Sequence, residues 1–211
     1  MSTITKSTAE LVRSHIEAAT QGEPFSSVDL LTLGTRAAVD SSLSRLAKEG
    51  LITRLTRGIY VRPNYNKYVG TVTPEPLKIV QAIARASGSK VGINGAEAAR
   101  GFSLSTQMST QTLFLTTGRT RVIKIGNSKI RMQHTCENKL ALAGRPAGTA
   151  LAALYYLGKE EVTTAVLGEI KKKLAPAEFE KLCTSTKSMP SWLSDVIYRF
   201  KQQSIVGTQV A

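Results

Sequence analysis

The sequence predicts an α+β fold in two domains, at residues 1–68 and 69–211. Apolar residues recur at helical spacing near both ends of the chain, at about residues 4–50 and 146–200. Between them, residues 51–62 and 111–134 have the short β-prone runs and Gly-containing turns of antiparallel strands. A chain of 211 residues is long enough for each domain to bury a core of its own.

The chain begins with two predicted helices. Residues 4–20 place Ile4, Leu11 and Ile16 near helical spacing, which predicts an amphipathic helix. Pro24 follows, and residues 26–31 predict a short second helix with Ser26 or Ser27 as its N-cap. Residues 32–34 form a turn.

A third helix is the best defined, because its start, buried face and end are all visible. Thr35 can cap it, Val39, Leu43 and Leu46 fall on one face, and Gly50 ends it. Two β-prone runs, 51–55 and 59–61, then flank a turn at Gly58, where a positive φ would suit a tight hairpin. This order predicts a winged helix-turn-helix in residues 1–68, with residues 63–72 as its end and connection.

The exposed face of the third helix carries small and hydrogen-bonding side chains, which allow close approach to base edges in a major groove. The wing adds arginines that suit phosphates. Winged helices also serve as protein-interaction modules, and Asp40 would repel phosphates unless it accepts from a cytosine amino group. The candidate DNA-binding residues are Thr35, Arg36, Ala37, Asp40, Ser41, Ser44, Arg45, Lys48, Arg54, Arg57 and Arg62.

Charge supports a polyanionic partner. The chain has 28 basic and 15 acidic residues, a net charge of +13, which favours nucleic acid first and an anionic membrane surface second. No stretch approaches the roughly 18 apolar residues of a membrane span, and the N-terminus lacks the apolar run of a signal peptide. We therefore expect a cytoplasmic protein without a membrane partner.

The second domain is predicted to begin with helices and a β-meander. A helix from Thr73 to Gly88 and a short helix after Asn94 precede three strands at about 111–134. In the last strand, basic residues alternate with Ile130, Met132 and His134, which predicts one apolar and one basic face. That basic face is either a second nucleic-acid patch or a solubilising surface. The candidate patch residues are Arg119, Arg121, Lys124, Lys129 and Arg131.

A helical bundle is predicted for the rest of the chain. Helices are expected from Pro146 to Gly158, over 160–173, from Pro176 to about Thr184, and over 190–200. Residues 202–211 are expected to be a mobile tail. The three lysines at 171–173 lie at a helix C-terminus, where the helix dipole favours cations, so we interpret them as structural.

No pattern indicates catalysis, a metal or a cofactor. Gly88, Gly92 and Gly95 match neither a P-loop nor a dinucleotide-binding fingerprint. His134 and Cys136 are too few for a metal site, and no Cys-x-x-Cys occurs. We expect neither an enzyme nor a cofactor-binding protein.

The order of elements resembles the AbiEi-type antitoxin family over roughly residues 10–200. The "Lys-Glu-Gly-Leu-Ile" exit of the third helix is similar to that of winged-helix regulators in general. More discriminating are the "Ile-Asn-Gly-Ala-Glu-Ala-Ala-Arg-Gly-Phe" helix and the strands containing "Leu-Phe-Leu-Thr-Thr-Gly-Arg-Thr-Arg-Val-Ile-Lys-Ile-Gly".

The resemblance implies an antitoxin of a type IV toxin–antitoxin pair. Its winged helix would repress its own promoter at inverted repeats, as a monomer or dimer on DNA, and its C-terminal domain would oppose a nucleotidyltransferase toxin encoded nearby. The chain lacks the Gly-Ser-x-x-x-x-Asp-x-Asp pattern of that toxin class, which fits the antitoxin member. Two alternatives remain: an interaction module with vestigial DNA binding, and a winged-helix regulator without a toxin.

Overall fold

Strands and helices mix throughout the computed structural model, which describes residues 7–68, 70–109 and 111–208. The fold is α+β, as predicted from the sequence. Two compact units are present: unit 1 comprises Met1–Ser89 and Ile123–Ile130, and unit 2 comprises Lys90–Val122 and Arg131–Ala211. The sequence-based boundary at residue 68 thus falls before a helix that the structure groups with unit 1.

Unit 1 begins with a winged helix-turn-helix. Its helices are α1 (Thr8–Ala18), a 3-10 helix (Ser27–Leu33) and α2 (Arg36–Lys48), and its strands are β1 (Pro24–Ser26), β2 (Thr53–Thr56) and β3 (Ile59–Val61). The three strands form an antiparallel sheet in the order β1-β3-β2. Val12 and Ile16 of α1 pack with Val39 and Leu43 of α2 in one buried core.

Several elements of unit 1 differ from the sequence prediction. The second helix is a 3-10 helix, and Ser26, one of its two candidate caps, caps it as expected. The first helix ends at Ala18, before the expected end near residue 20. The expected connection at 67–72 contains half of a second hairpin, β4 (Asn64–Asn66) with β5 (Gly70–Val72), which precedes α3 (Pro76–Ser87). Residues 4–6 of the first predicted helix lie outside the described residues.

A four-stranded sheet has the order β6-β7-β9-β8, formed by β6 (Val91–Ile93), β7 (Thr112–Thr116), β8 (Arg121–Ile125) and β9 (Ser128–His134). The three predicted strands are present, but β9 lies between β7 and β8, so they do not form a simple meander. β6 adds a strand next to β7, pairing Gly92 with Leu115.

Helices dominate unit 2. They are α4 (Gly95–Gly101), α5 (Pro146–Glu161), α6 (Thr164–Lys173), α7 (Pro176–Thr184) and α8 (Ser191–Thr208), with short 3-10 turns at Glu137–Leu140 and Thr186–Ser188. Leu151, Leu167, Leu182 and Leu193 are buried in one core built by α5, α6, α7 and α8.

Two boundaries in the bundle were predicted wrongly. Gly158 takes non-helical backbone angles, with a φ of 77°, and breaks α5 where the sequence predicted the helix to end, but α6 begins only at Thr164 and not near residue 160. The tail expected from residue 202 is helical as far as Thr208. The last three residues lie outside the described part of the chain.

Candidate nucleic-acid interface

Helix α2 packs against the rest of unit 1 through the apolar face that the sequence predicted. The Oγ1 of Thr35 accepts a hydrogen bond from the backbone N–H of Ala38 at 3.4 Å, which caps the helix as expected. Val39, Leu43 and Leu46 are all buried. Their burial fixes the rotation of the helix about its own axis, and so determines which side chains point outward.

The outward face of α2 carries the predicted small and polar residues. Ala37, Ser41, Ser44 and Lys48 are all exposed on it. Spacings of three and four residues place them in one stripe along the helix. Because two serines and an alanine form most of this stripe, the helix axis can come close to a partner surface such as a major groove.

The wing is a hairpin of β2 and β3 closed by a tight turn. Gly58 takes a φ of 75°, the positive value expected for it. Its carbonyl accepts from the backbone N–H of Ser27 at 3.0 Å, which ties the turn to the start of the 3-10 helix. A register shift between Arg54 and Thr56 marks a bulge in β2. The wing is therefore fixed relative to the helix-turn-helix by backbone contacts.

A groove of about 530 Å³ separates α2 from the wing. Arg36, Asp40 and Lys48 line it from the helix, and Arg54 and Arg57 line it from the wing. Most of the sequence-predicted site residues are thus brought to one continuous concave surface, which we call the α2–wing groove. Four further lining residues were not among the sequence-based candidates: Ser27, Ala47, Gly58 and Tyr60. Tyr60 was missed because strand β1 and its pairing with β3 were not predicted.

Positive charge without an ion pair lies in the α2–wing groove, at Lys48, Arg54 and Arg57, and on the other flank of α2, at Arg45. Within the described part of the chain, Arg45, Lys48, Arg54 and Arg57 make no ion pair. All four side chains belong to exposed residues. A polyanion could therefore approach them without breaking an existing ion pair.

Other cations of unit 1 are engaged elsewhere. Arg13 pairs with Glu49 and, at 3.7 Å, with Glu17, and its hydrogen bond to Glu49 raises the pKa of the guanidinium. Lys78 lies 2.8 Å from Glu23, whose hydrogen bond raises the pKa of that ammonium. These pairs neutralise charge away from the α2–wing groove.

One predicted contact residue has a structural position instead. The Nη1 of Arg62 donates to the carbonyls of Glu17 at 2.7 Å and Ala19 at 3.1 Å, at the C-terminal end of α1. Helix ends leave such carbonyls without partners, so a guanidinium there acts as a cap. We therefore remove Arg62 from the candidate interface.

The second candidate patch is exposed, but one of its supporting predictions is wrong. Arg119, Arg121, Lys124, Lys129 and Arg131 are all exposed, with Lys124 and Lys129 in unit 1 and the other three in unit 2. On β9, Lys129 and Arg131 alternate with buried Ile130 and Met132, as predicted.

His134 does not continue the apolar face of β9, because it is exposed. Its Nδ1 lies 2.9 Å from the carbonyl of Gly118, and its backbone N–H donates to Thr120. This histidine therefore organises the loop between β7 and β8.

Three further features of the described residues bear on metal binding, thiol reactivity and membrane spanning. They contain no group of three or more His, Cys, Asp or Glu side chains placed to hold a metal ion. Cys183 is buried, and that burial raises the pKa of its thiol, which makes it a poor nucleophile. In the same part of the chain, no helix combines the length and apolarity needed to cross a membrane.

Comparison with known proteins places the chain in a family. Residues 11–182 match the model described as "Family of unknown function (DUF6088)", which spans both the winged helix and most of unit 2. No curated protein matches significantly. Since the match covers well over half of the chain, the protein belongs to the family of unknown function DUF6088.

Proposed function

We propose that this protein is a sequence-specific double-stranded DNA-binding protein that represses transcription. Helix α2 enters the major groove, and the wing holds the phosphate backbone. The observation that supports this most directly is the α2–wing groove, whose lining brings Ser44 together with three cations that have no ion pair in the described part of the chain, Lys48, Arg54 and Arg57. Arg36, Ser41 and Ser44 face bases, and Arg45, Arg54 and Arg57 face phosphates.

The resemblance to AbiEi-type antitoxins extends this proposal to autoregulation. On that basis the protein acts in the cytoplasm, binds inverted repeats in its own promoter, and opposes a nucleotidyltransferase toxin encoded nearby. If two copies bind one palindrome, the half-sites lie about 10 base pairs apart or a multiple, because two symmetric helices must meet the same face of the duplex.

DNA binding is tested by fluorescence anisotropy with the promoter duplex and a scrambled duplex at several salt concentrations. Arg57→Ala is expected to weaken binding to both duplexes and to reduce the salt dependence by about one unit, because one phosphate contact is lost. Lys78→Ala is the matched control, since it removes one positive charge from unit 1 outside the groove. Equal effects of the two variants, or no salt-dependent binding at all, would reject the proposal.

Toxin neutralisation is tested separately by co-expression with the adjacent gene product. The full-length Arg36→Ala/Arg57→Ala variant is expected to lose promoter binding and still rescue growth, because the antitoxin function is assigned to unit 2. This variant also tests the alternative of an interaction module with vestigial DNA binding. Rescue of growth by a wild-type protein that shows no DNA affinity would favour that alternative.

A further inference from the structure

Arg36 and Asp40 form an ion pair on the exposed edge of α2 that lines the groove. The Nε of Arg36 donates to the Oδ2 of Asp40 at 3.1 Å, one helical turn apart. The side chains remain 60% and 50% exposed. The pair is thus open to a ligand that enters the α2–wing groove.

Helix stability does not account for this arrangement. Arg36 occupies the first position of α2, where the positive end of the helix dipole disfavours a cation, and the first turn holds no acidic residue. The order of the pair, with the cation nearer the helix N-terminus, is also the less favourable one for an i,i+4 ion pair. An exposed pair of this kind contributes little to the stability of a helix.

The geometry of the pair suits a base edge better than a phosphate. Since Nε is held by the carboxylate, the two Nη groups are the donors left to contact a ligand. Two parallel N–H donors match the O6 and N7 acceptors of guanine in the major groove. A phosphate would be repelled by Asp40, whereas a neutral base edge is not.

We infer that Arg36 reads a guanine in the major groove and that Asp40 is the positioning residue that orients its guanidinium. This inference rests on the proposed function and names the base that the site recognises. Ala37, the next residue along α2, is small and exposed, so it leaves room for the base pair. Arg54 and Arg57, which lack such a carboxylate partner, remain phosphate contacts.

The test starts with selection of duplexes from a random pool by the full-length wild-type protein. Each guanine of the selected motif is then replaced in turn by 7-deazaguanine, which lacks the N7 acceptor but still pairs with cytosine. We expect one guanine per half-site at which this replacement weakens wild-type binding roughly 10-fold. Arg36→Ala should bind both duplexes equally at that position.

Variants at Asp40 distinguish a role in orienting the Arg36 guanidinium from a role in folding. Asp40→Ala should lose part of the guanine discrimination that Arg36→Ala loses completely, with an unchanged salt dependence, because the phosphate contacts remain. Asp40→Asn should retain more of it, since its amide oxygen still accepts from Nε. Arg45→Ala, on the other flank of α2, is the matched control and should weaken all duplexes equally. Melting curves verify that each variant is folded.

The outcomes distinguish this inference from the proposed function. If a motif is selected but no guanine behaves differently in Arg36→Ala, the guanine assignment is wrong while DNA binding stands. If Asp40→Ala reduces the affinity for every duplex equally, its positioning role is wrong. If no motif is selected and binding is independent of salt, the proposed function fails and this inference fails with it.

Discussion

Glu178 of α7 is paired with Arg145, the residue that immediately precedes α5. Its Oε1 lies 2.6 Å from the Nη2 of Arg145, and its Oε2 accepts from the backbone N–H of Ala147 at 3.1 Å. The hydrogen bond from Arg145, followed by that from Ala147, holds the pKa of the Glu178 carboxyl below its ordinary value. One carboxylate therefore joins two helices of unit 2 and caps the first turn of α5.

Because of the pair between Arg145 and Glu178, we expect the stability of unit 2 to fall in acid. Because the pKa is lower in the folded state, the stabilisation is present above the ordinary glutamate pKa of about 4.3 and is lost as the pH falls through the lower folded value. Glu178→Gln should lower the melting temperature at pH 6 and have less effect at pH 3. Melting curves across this pH range check it.

Glu161→Gln is the control for that experiment, since it removes one exposed carboxylate of unit 2 that has no ion pair in the described part of the chain. Its effect should be small at both pH values. An effect of Glu178→Gln that does not change with pH would contradict the prediction.

Gly148 should be intolerant of any side chain. A Cβ at this position in the first turns of α5 would lie 2.0 Å from the carbonyl oxygen of Leu142, a backbone atom that cannot move without shifting the chain. We expect Gly148→Ala to cost about 1–3 kcal/mol in free energy of unfolding, or more. Denaturant titration measures this.

Gly101 provides the matched control at the end of α4. A Cβ there would meet no atom within 4 Å, and the residue does not have a positive φ. Gly101→Ala should be neutral or stabilise by up to about 1 kcal/mol, because alanine favours helix. Equal destabilisation by the two substitutions would show that the crowding at Gly148 is unimportant.

Substitution of Gly58 in the wing turn should also reduce stability, in this case because of its backbone conformation. Gly58 has a φ of 75°, and a Cβ added there would meet only the Oγ of Ser27, at an ordinary distance of 3.5 Å. Gly58→Ala should therefore cost about 1–2 kcal/mol through backbone strain, and Gly58→Asn less, because asparagine tolerates this conformation. A ranking with asparagine as the worse substitution would contradict this origin. Denaturant titration of both variants decides it.

The sequence predicted the elements whose signals are local. The cap at Thr35, the periodic Val39, Leu43 and Leu46, and the turn at Gly58 are each encoded by a short stretch of neighbouring residues. They defined α2 and the wing, and with them most of the candidate interface.

Features set by distant partners were missed. Strand β1 has three residues, too few for a periodic pattern, and forms only because Pro24 pairs with Val61. The place of β9 between two earlier strands depends on a pairing that no local pattern records. In hairpin β4–β5, Tyr65 and Tyr68 are 73% and 83% exposed. The hairpin has no buried apolar face, so its sequence does not show the alternation of apolar and polar residues that predicts a strand.

Arg62 differs from Arg54 and Arg57 because its guanidinium is hydrogen-bonded to the protein backbone, so we expect it to support the fold and not to contact DNA. Its sequence position next to the wing predicted a DNA contact, but its guanidinium donates to two carbonyls at the end of α1. Arg62→Ala leaves those carbonyls without this donor. We expect a loss of about 1–2 kcal/mol in free energy of unfolding, with the salt dependence of DNA binding unchanged.

Arg57→Ala is the matched comparison, because Arg57 is exposed and makes no ion pair within the described residues. It should reduce DNA affinity and its salt dependence and leave the unfolding free energy within about 0.5 kcal/mol of wild type. Denaturant titration and anisotropy on the same two proteins give both quantities. If Arg62→Ala instead lowers the salt dependence and leaves stability unchanged, Arg62 contacts phosphate, and its bonds to α1 contribute little to the fold.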